Sequence, residues 1–205
     1  MSIPSTLHVV WIGDDSLRPA DNIESWRRLN PGLQLKEWGN PHLKTRKWRT
    51  ARYMEQMWER ELAGVADLMR YEILLDEGGI TIDADSRCLR PLDDWLLEHD
   101  PFACWENELA RPGLISNAFF GASSANPLIA SIIDEILAAP TLVDRMAWEA
   151  TGPLRLSKCV QRLQYTDLTI FPSHFFIPNH FTGLRYTGPG RVYCDHQWYS
   201  TRQLL

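Results

Sequence analysis

The chain has 205 residues, a formal net charge of −5 and 44% hydrophobic residues. This length and composition suit a single domain, residues 1–205, and exclude a disordered or fibrous chain. The acidic balance argues against nonspecific nucleic-acid binding by the surface as a whole.

In chain order, "LHVVWIG" (7–13) reads as a buried strand ending in glycine. "DNIESWRRLNPG" (21–32) predicts a helix capped by Asp21 and stopped by Asn-Pro-Gly. "LQLKEW" (33–38) alternates like a strand, and the polar, basic and aromatic residues 41–62 predict helix. "GVADLMRYEILLDEGG" (64–79) predicts a helix closed by glycines, followed by a strand, "ITID" (80–83). "FACWEN" (102–107) and "ISNAFFGAS" (115–123) predict further strands. "NPLIASIIDEILAA" (126–139) predicts an amphipathic helix with Pro127 in its first turn. "TGPLRLSKCVQRL" (151–163) reads as a turn and helix, and short strands follow around "LTIFP" and "RVYCD". Strands alternating with helices predict an α/β fold with a mixed, mostly parallel sheet flanked by helices.

No segment reaches the roughly 18 apolar residues of a membrane span. "MSIPST" lacks the basic and apolar regions of a secretory signal. The four cysteines, Cys88, Cys104, Cys159 and Cys194, show no C-x-x-C spacing. Zinc is therefore not expected, and a reducing, cytoplasmic location is.

The stretch "GGITIDADSRCLRPL" (78–92) carries the chemistry. Asp83 and Asp85 stand two apart at the end of an apolar strand, so both side chains point the same way. Like charges that close need compensation, and hard carboxylate oxygens suit Mn²⁺ or Mg²⁺. An EF-hand loop is excluded, because the run D-A-D-S-R-C lacks its further ligands and its glycine. Three readings stay open: two solvated acids in a turn, a phosphohydrolase with Asp83 as nucleophile, and a nucleotide-sugar transferase whose metal bridges the pair to a diphosphate.

On a helical wheel of residues 64–77, Glu72 and Asp76 share one side while Asp67 and Arg70 share another. Assigning Glu72 and Asp76 to solvent turns Asp67 and Arg70 inward, where charges need partners. The alternative is an ordinary surface ion pair.

Taken together, "LHVVWIG", "ADLMRYEILLDEGGITIDAD" and "RPLDD" resemble the DXD-containing sugar transferases of glycosyltransferase family 32, and the catalytic core of the clostridial glucosylating toxins. "TGPL" (151–154) and "HQWYST" (196–201) resemble later elements of that pattern. The resemblance implies a GT-A fold, a UDP- or GDP-sugar donor, Mn²⁺ or Mg²⁺, and transfer with retention of anomeric configuration. It implies that Trp11 stacks on the donor base and that Asp67 and Arg70 grip the donor sugar and phosphates. Asp83 would touch ribose and sugar, Asp85 would ligate the metal, and His196 and Ser200 would close over the diphosphate with Trp198 beside them. His196 would join Asp83 and Asp85 at the metal. Two positions depart from the pattern: Thr81 stands for a tyrosine and Thr201 for a tryptophan. These departures keep a degenerate, purely binding protein in view.

Asn117, with Glu106 or Asn107, is a candidate polar group beneath the anomeric carbon, read equally as an ordinary strand-end residue. Lys44, Arg46, Lys47, Arg49 and Arg52 surround Trp48. They read either as a solvated helical face or as a dock for an anionic acceptor (a lipid head group, an acidic polysaccharide or nucleic acid) with Trp48 stacking.

Overall fold

The computed structural model describes residues 3–199. Its central strands are β1 (Thr6–Val10) and β3 (Gly79–Asp83), paired in parallel, with β2 (Gln34–Trp38) parallel on the far side of β1. The sheet continues through β6 (Arg111–Ala122), β5 (Phe102–Asn107) and β7 (Thr169–Phe171), in the order β2-β1-β3-β6-β5-β7. Only β6 runs against the others. The sheet is therefore mixed and mostly parallel, as the alternation of strands and helices predicts.

Successive residues of β1 serve opposite layers. Leu7 and Val9 enter a core with Ile23 and Trp26 of α1 (Ala20–Leu29) and an aromatic group around Phe102, Phe119 and Phe176. Val10 enters the other core, built from α3 (Ala51–Arg60), α4 (Leu62–Glu77), α5 (Pro127–Leu137) and α7 (Pro153–Leu163). α4 is the centre of that layer and is buried on nearly every side. A helix enclosed in this way carries no single apolar stripe.

Several boundaries differ from expectation for physical reasons. α1 starts directly after Pro19 and has no side-chain cap; Asp21 lies inside its first turn. Residues 41–62 break into α2 (Asn40–Thr45) and α3. The strand expected around "RVYCD" begins three residues into that stretch, as β8 (Cys194–His196). It leaves the main sheet to pair antiparallel with β4 (Ser86–Cys88), a strand too short to read from the sequence.

The α4–β3 corner explains the double glycine. Gly78 and Gly79 both have positive φ, +64° and +104°. A Cβ on Gly79 would sit 2.8 Å from both the His8 imidazole and the Thr6 carbonyl oxygen. His8 fills that corner: Nδ1 accepts from the Trp38 indole N–H at 3.2 Å, so Nε2 donates to the Gly78 carbonyl at 2.8 Å. Burial lowers the His8 pKa, consistent with a neutral ring. Gly79→Ala is expected to cost about 3 kcal/mol, from backbone strain plus displacement of His8. Urea denaturation measures it; a loss under about 0.5 kcal/mol, the range of ordinary surface changes, would show that the corner yields freely.

Candidate active site

Asp83 is the last residue of β3, at the carboxyl end of a central strand, where α/β sheets gather ligands. The chain then turns through Ala84 and Asp85 into β4. Pairing of β4 with β8 sets Ser86 opposite His196 and so returns the C-terminal segment to the aspartates. His196 Nε2 lies 2.7 Å from Asp83 Oδ2 and 3.5 Å from Asp85 Oδ1. One ligand atom from each of the three residues falls within 4.8 Å of the other two. Asp85 also fastens that segment: its backbone carbonyl accepts from Gln197 N at 3.1 Å and its Oδ2 from Tyr199 N at 2.8 Å.

From the other side α4 presents Arg70, whose guanidinium contacts Asp83 Oδ1 and donates to the Asn117 carbonyl at 3.2 Å. One turn earlier Asp67 lies 3.8 Å from Arg70. Both Asp67 oxygens are occupied: Asn117 Nδ2 donates to Oδ1 at 2.8 Å and Thr151 Oγ1 to Oδ2 at 2.9 Å. Asp67 and Arg70 therefore face inward, and Asn117 stands beside them on β6.

The titrations follow the enclosure. Burial, aided by the Asp83 charge, pushes Asp67 up to about 6 against the pull of Arg70. Burial would also raise Asp83, but Arg70 and His196 hold its carboxyl below the usual range. Burial would lower His196, yet Asp85 and Asp83 raise it to about 9. Three carboxylates (Asp67, Asp83 and Asp85) face one guanidinium, an excess of two negative charges when His196 is neutral. Two hard carboxylates and an imidazole, carrying that excess, fit a divalent cation.

These groups open on one cavity of about 520 Å³, bounded by Trp11, Asp67, Arg70, Asp83, Asp85, Asn117, His196 and Trp198. Such a volume suits a small-molecule ligand. Trp11 lies just past the end of β1, half-buried, with its indole N–H on the Asp14 carbonyl. Trp198 is buried, donates to the Asn179 carbonyl at 2.7 Å and packs its ring against His196 at 4.5 Å. Ser200 and Thr201 lie outside the described residues. Thr81 is fully buried and donates to the Phe120 carbonyl across the sheet, away from the cavity.

Two expectations are corrected. Glu72 does not face solvent: it is fully buried and accepts from Arg49 N, Thr50 N and Thr50 Oγ1 at 2.7–2.8 Å. The basic stretch is not a free anion dock with an aromatic platform. Trp48 is buried, with its indole on the His42 carbonyl. Arg46 pairs with Asp76 and Glu77, and Arg49 with Glu72 and Asp76. Arg52 is bound to the carbonyls of Ala139 and Pro140. Lys44 and Lys47 remain exposed. The stretch packs at the end of α4 around Asp76, about 13 Å along the helix from Asp67.

Residues 17–102 match a family profile described as a glycosyltransferase sugar-binding region containing a DXD motif. That stretch is 86 of the 205 residues and includes Asp67, Arg70, Asp83 and Asp85. No curated protein matches the chain. Among solved structures, PaToxG glycosyltransferase superposes with a TM-score of 0.62 at 16% identity, over 79% of this chain and 70% of that one. The UDP-bound glycosyltransferase domain of the YGT toxin gives 0.57 at 9% identity, over 82% and 79%. Its ligand-free form gives 0.58 at 10% identity, over 82% and 80%. At these identities the likeness carries the fold, and the shared fold extends well past residue 102.

One contributor to the candidate site carried no readable role in the sequence. Thr151 is 84 residues from Asp67; "TGPL" marks its segment without saying what it touches. Glu106, by contrast, was visible as a polar strand-end residue, but its partners His180 and Arg111 were not.

Proposed function

We propose that this protein is a divalent-metal-dependent glycosyltransferase that moves a sugar from a UDP- or GDP-sugar with retention of configuration. The observation that carries the reading is the convergence of Asp83, Asp85 and His196 within 4.8 Å, beside the inward Arg70. Those three residues would hold Mn²⁺ or Mg²⁺, which would supply positive charge to the leaving diphosphate. Arg70 is placed to add fixed positive charge for phosphate oxygens. Asp67, locked by Asn117 and Thr151, is a rigid acceptor for sugar hydroxyls. Trp11 offers a half-buried ring to the base, and Trp198 backs the imidazole of His196. Asn117 orients Asp67 and, with it, the wall beneath the sugar. In a same-face transfer the acceptor hydroxyl bonds to the anomeric carbon as the bond to the diphosphate breaks. The electron pair, and then the acceptor proton, go to the departing phosphate oxygen.

A phosphohydrolase with Asp83 as nucleophile is less well supported, because both Asp83 oxygens are already engaged, by Arg70 and His196. No helix among the described residues is long and apolar enough to cross a membrane. Four free, buried thiols support a reducing, cytoplasmic setting.

Calorimetry with UDP, GDP and their sugars tests the reading. Binding that strengthens at least about tenfold on adding Mn²⁺ is expected. Binding indifferent to Mn²⁺, or absent for both nucleotides, would count against it.

A further inference from the structure

Away from the metal-binding cluster, the same cavity has a second polar wall. Glu106, on β5, is 4% exposed. Its Oε1 is pinned from two sides, by His180 Nε2 at 3.3 Å and by Arg111 Nη1 at 3.3 Å. His180 is itself held, with Nδ1 2.8 Å from Thr182 Oγ1. Glu106 Oε2 has no hydrogen-bond partner among the described residues. Asp67, Asp83 and Asp85 differ, since each of their oxygens meets a protein donor or cation. A nearly buried carboxylate with one oxygen pinned and the other left without a protein partner beside a cavity is placed to accept from a ligand's donor.

Arg111 completes the wall. Its guanidinium lies 4.6 Å from the Trp148 ring centroid and 5.4 Å from that of Phe181, which fixes its plane. One of its nitrogens is spent on Glu106, and the others remain to donate. Trp148 is 37% exposed at the cavity mouth.

We propose that the Glu106–Arg111–Trp148 wall is the acceptor subsite, and that it takes a neutral polyhydroxylated acceptor of the carbohydrate class. This rests on the donor reading only in giving the opposite, metal-binding end of the cavity to the donor. The paired Glu106 and Arg111 offer an open acceptor beside open donors without net charge. Adjacent sugar hydroxyls, each both donor and acceptor, match that pairing. An anion would instead meet Glu106 in a cavity that already holds three aspartates. The exposed indole supplies an apolar face for the C–H surface of a sugar ring.

The test is saturation-transfer NMR with methyl α-glucoside, galactoside, mannoside and glucuronide, in the presence of diamagnetic Mg²⁺ with UDP or GDP. Neutral hexosides are expected to bind the wild type. Glu106→Gln and, independently, Trp148→Ala are expected to weaken that binding by about tenfold or more, the effect of losing one hydrogen bond to a charged group or a comparable apolar contact. Near-ultraviolet circular dichroism confirms that each variant is folded, and Trp148 at the rim serves if the buried substitution does not fold. The proposal is overturned if no neutral hexoside binds, if the glucuronide binds more tightly than all of them, or if the folded variants bind hexosides as the wild type does. Failure of both nucleotides to bind would instead strike the donor reading, while hexoside binding alone would still report on this wall.

Discussion

Asp85→Asn is expected to abolish metal-dependent donor binding and to lower transfer by about three orders of magnitude, the scale on which a leaving group loses a principal source of charge stabilisation. Asp85 has two jobs that this substitution separates. Its charge, with those of Asp83 and Asp67, exceeds what Arg70 neutralises, and its Oδ2 accepts from Tyr199 N. An asparagine oxygen still accepts that backbone hydrogen bond, whereas alanine cannot. In metal-free protein the asparagine variant keeps that bond and loses both the repulsion from Asp83 and the attraction to the His196 imidazolium, two effects of opposite sign, so its stability should stay near that of wild type. The alanine variant should be less stable by about 1 kcal/mol, one part-buried hydrogen bond. Calorimetry and thermal unfolding together check the pattern. Undiminished Mn²⁺-dependent heat in the asparagine variant would remove Asp85 from the metal site.

The parts of this site that are close in sequence were legible in it. The D-x-D spacing at a strand end put Asp83 and Asp85 on one side, and i,i+3 spacing put Asp67 beside Arg70, although their inward direction was inferred from an outward Glu72 that is in fact buried. Both depend only on local periodicity. His196 was reachable through the family pattern alone, because a three-residue pairing of Ser86–Cys88 with Cys194–His196 brings it to the aspartates. Such short strands leave almost no alternation to read. The Thr151–Asp67 and Glu106–Arg111 contacts were likewise not legible, since they depend on the placement of α7 and on the turn between β5 and β6. The basic stretch misled for a different reason. Its arginines are the outer halves of ion pairs with α4, and a sequence displays a cation without displaying the carboxylate that meets it. The GT-A fold followed from the resemblance; the alternation itself predicted only an α/β sheet.

Glu72→Ala is expected to cost about 3–5 kcal/mol of folding stability, the range for leaving buried charge-assisted hydrogen bonds unmade. Glu72→Gln should recover little of it. Both Glu72 oxygens accept: Oε1 takes Thr50 N and Thr50 Oγ1, and Oε2 takes Arg49 N. A glutamine would turn an NH₂ group toward one of those donors. Thr50 is the N-cap of α3 and makes no side-chain cap bond to its own helix. The carboxylate of α4 thus anchors the start of α3, across the interface on which Trp48, Tyr53 and Met57 are buried. Asp76, one turn later and partly exposed, pairs with Arg46 and Arg49 at the surface. Its loss should cost no more than about 1 kcal/mol, because exposed pairs are screened and pay side-chain entropy. Urea denaturation of the two alanine variants makes the comparison. The helical wheel alone puts both residues in solvent and predicts equal, small effects, so equal effects would refute the anchoring role. The consequence reaches the active site, because Glu72 lies two residues from Arg70 on the same helix. A loosened α3–α4 contact should lower donor affinity in Glu72→Ala even though Glu72 touches no part of the cavity, and Asp76→Ala should leave that affinity as it is.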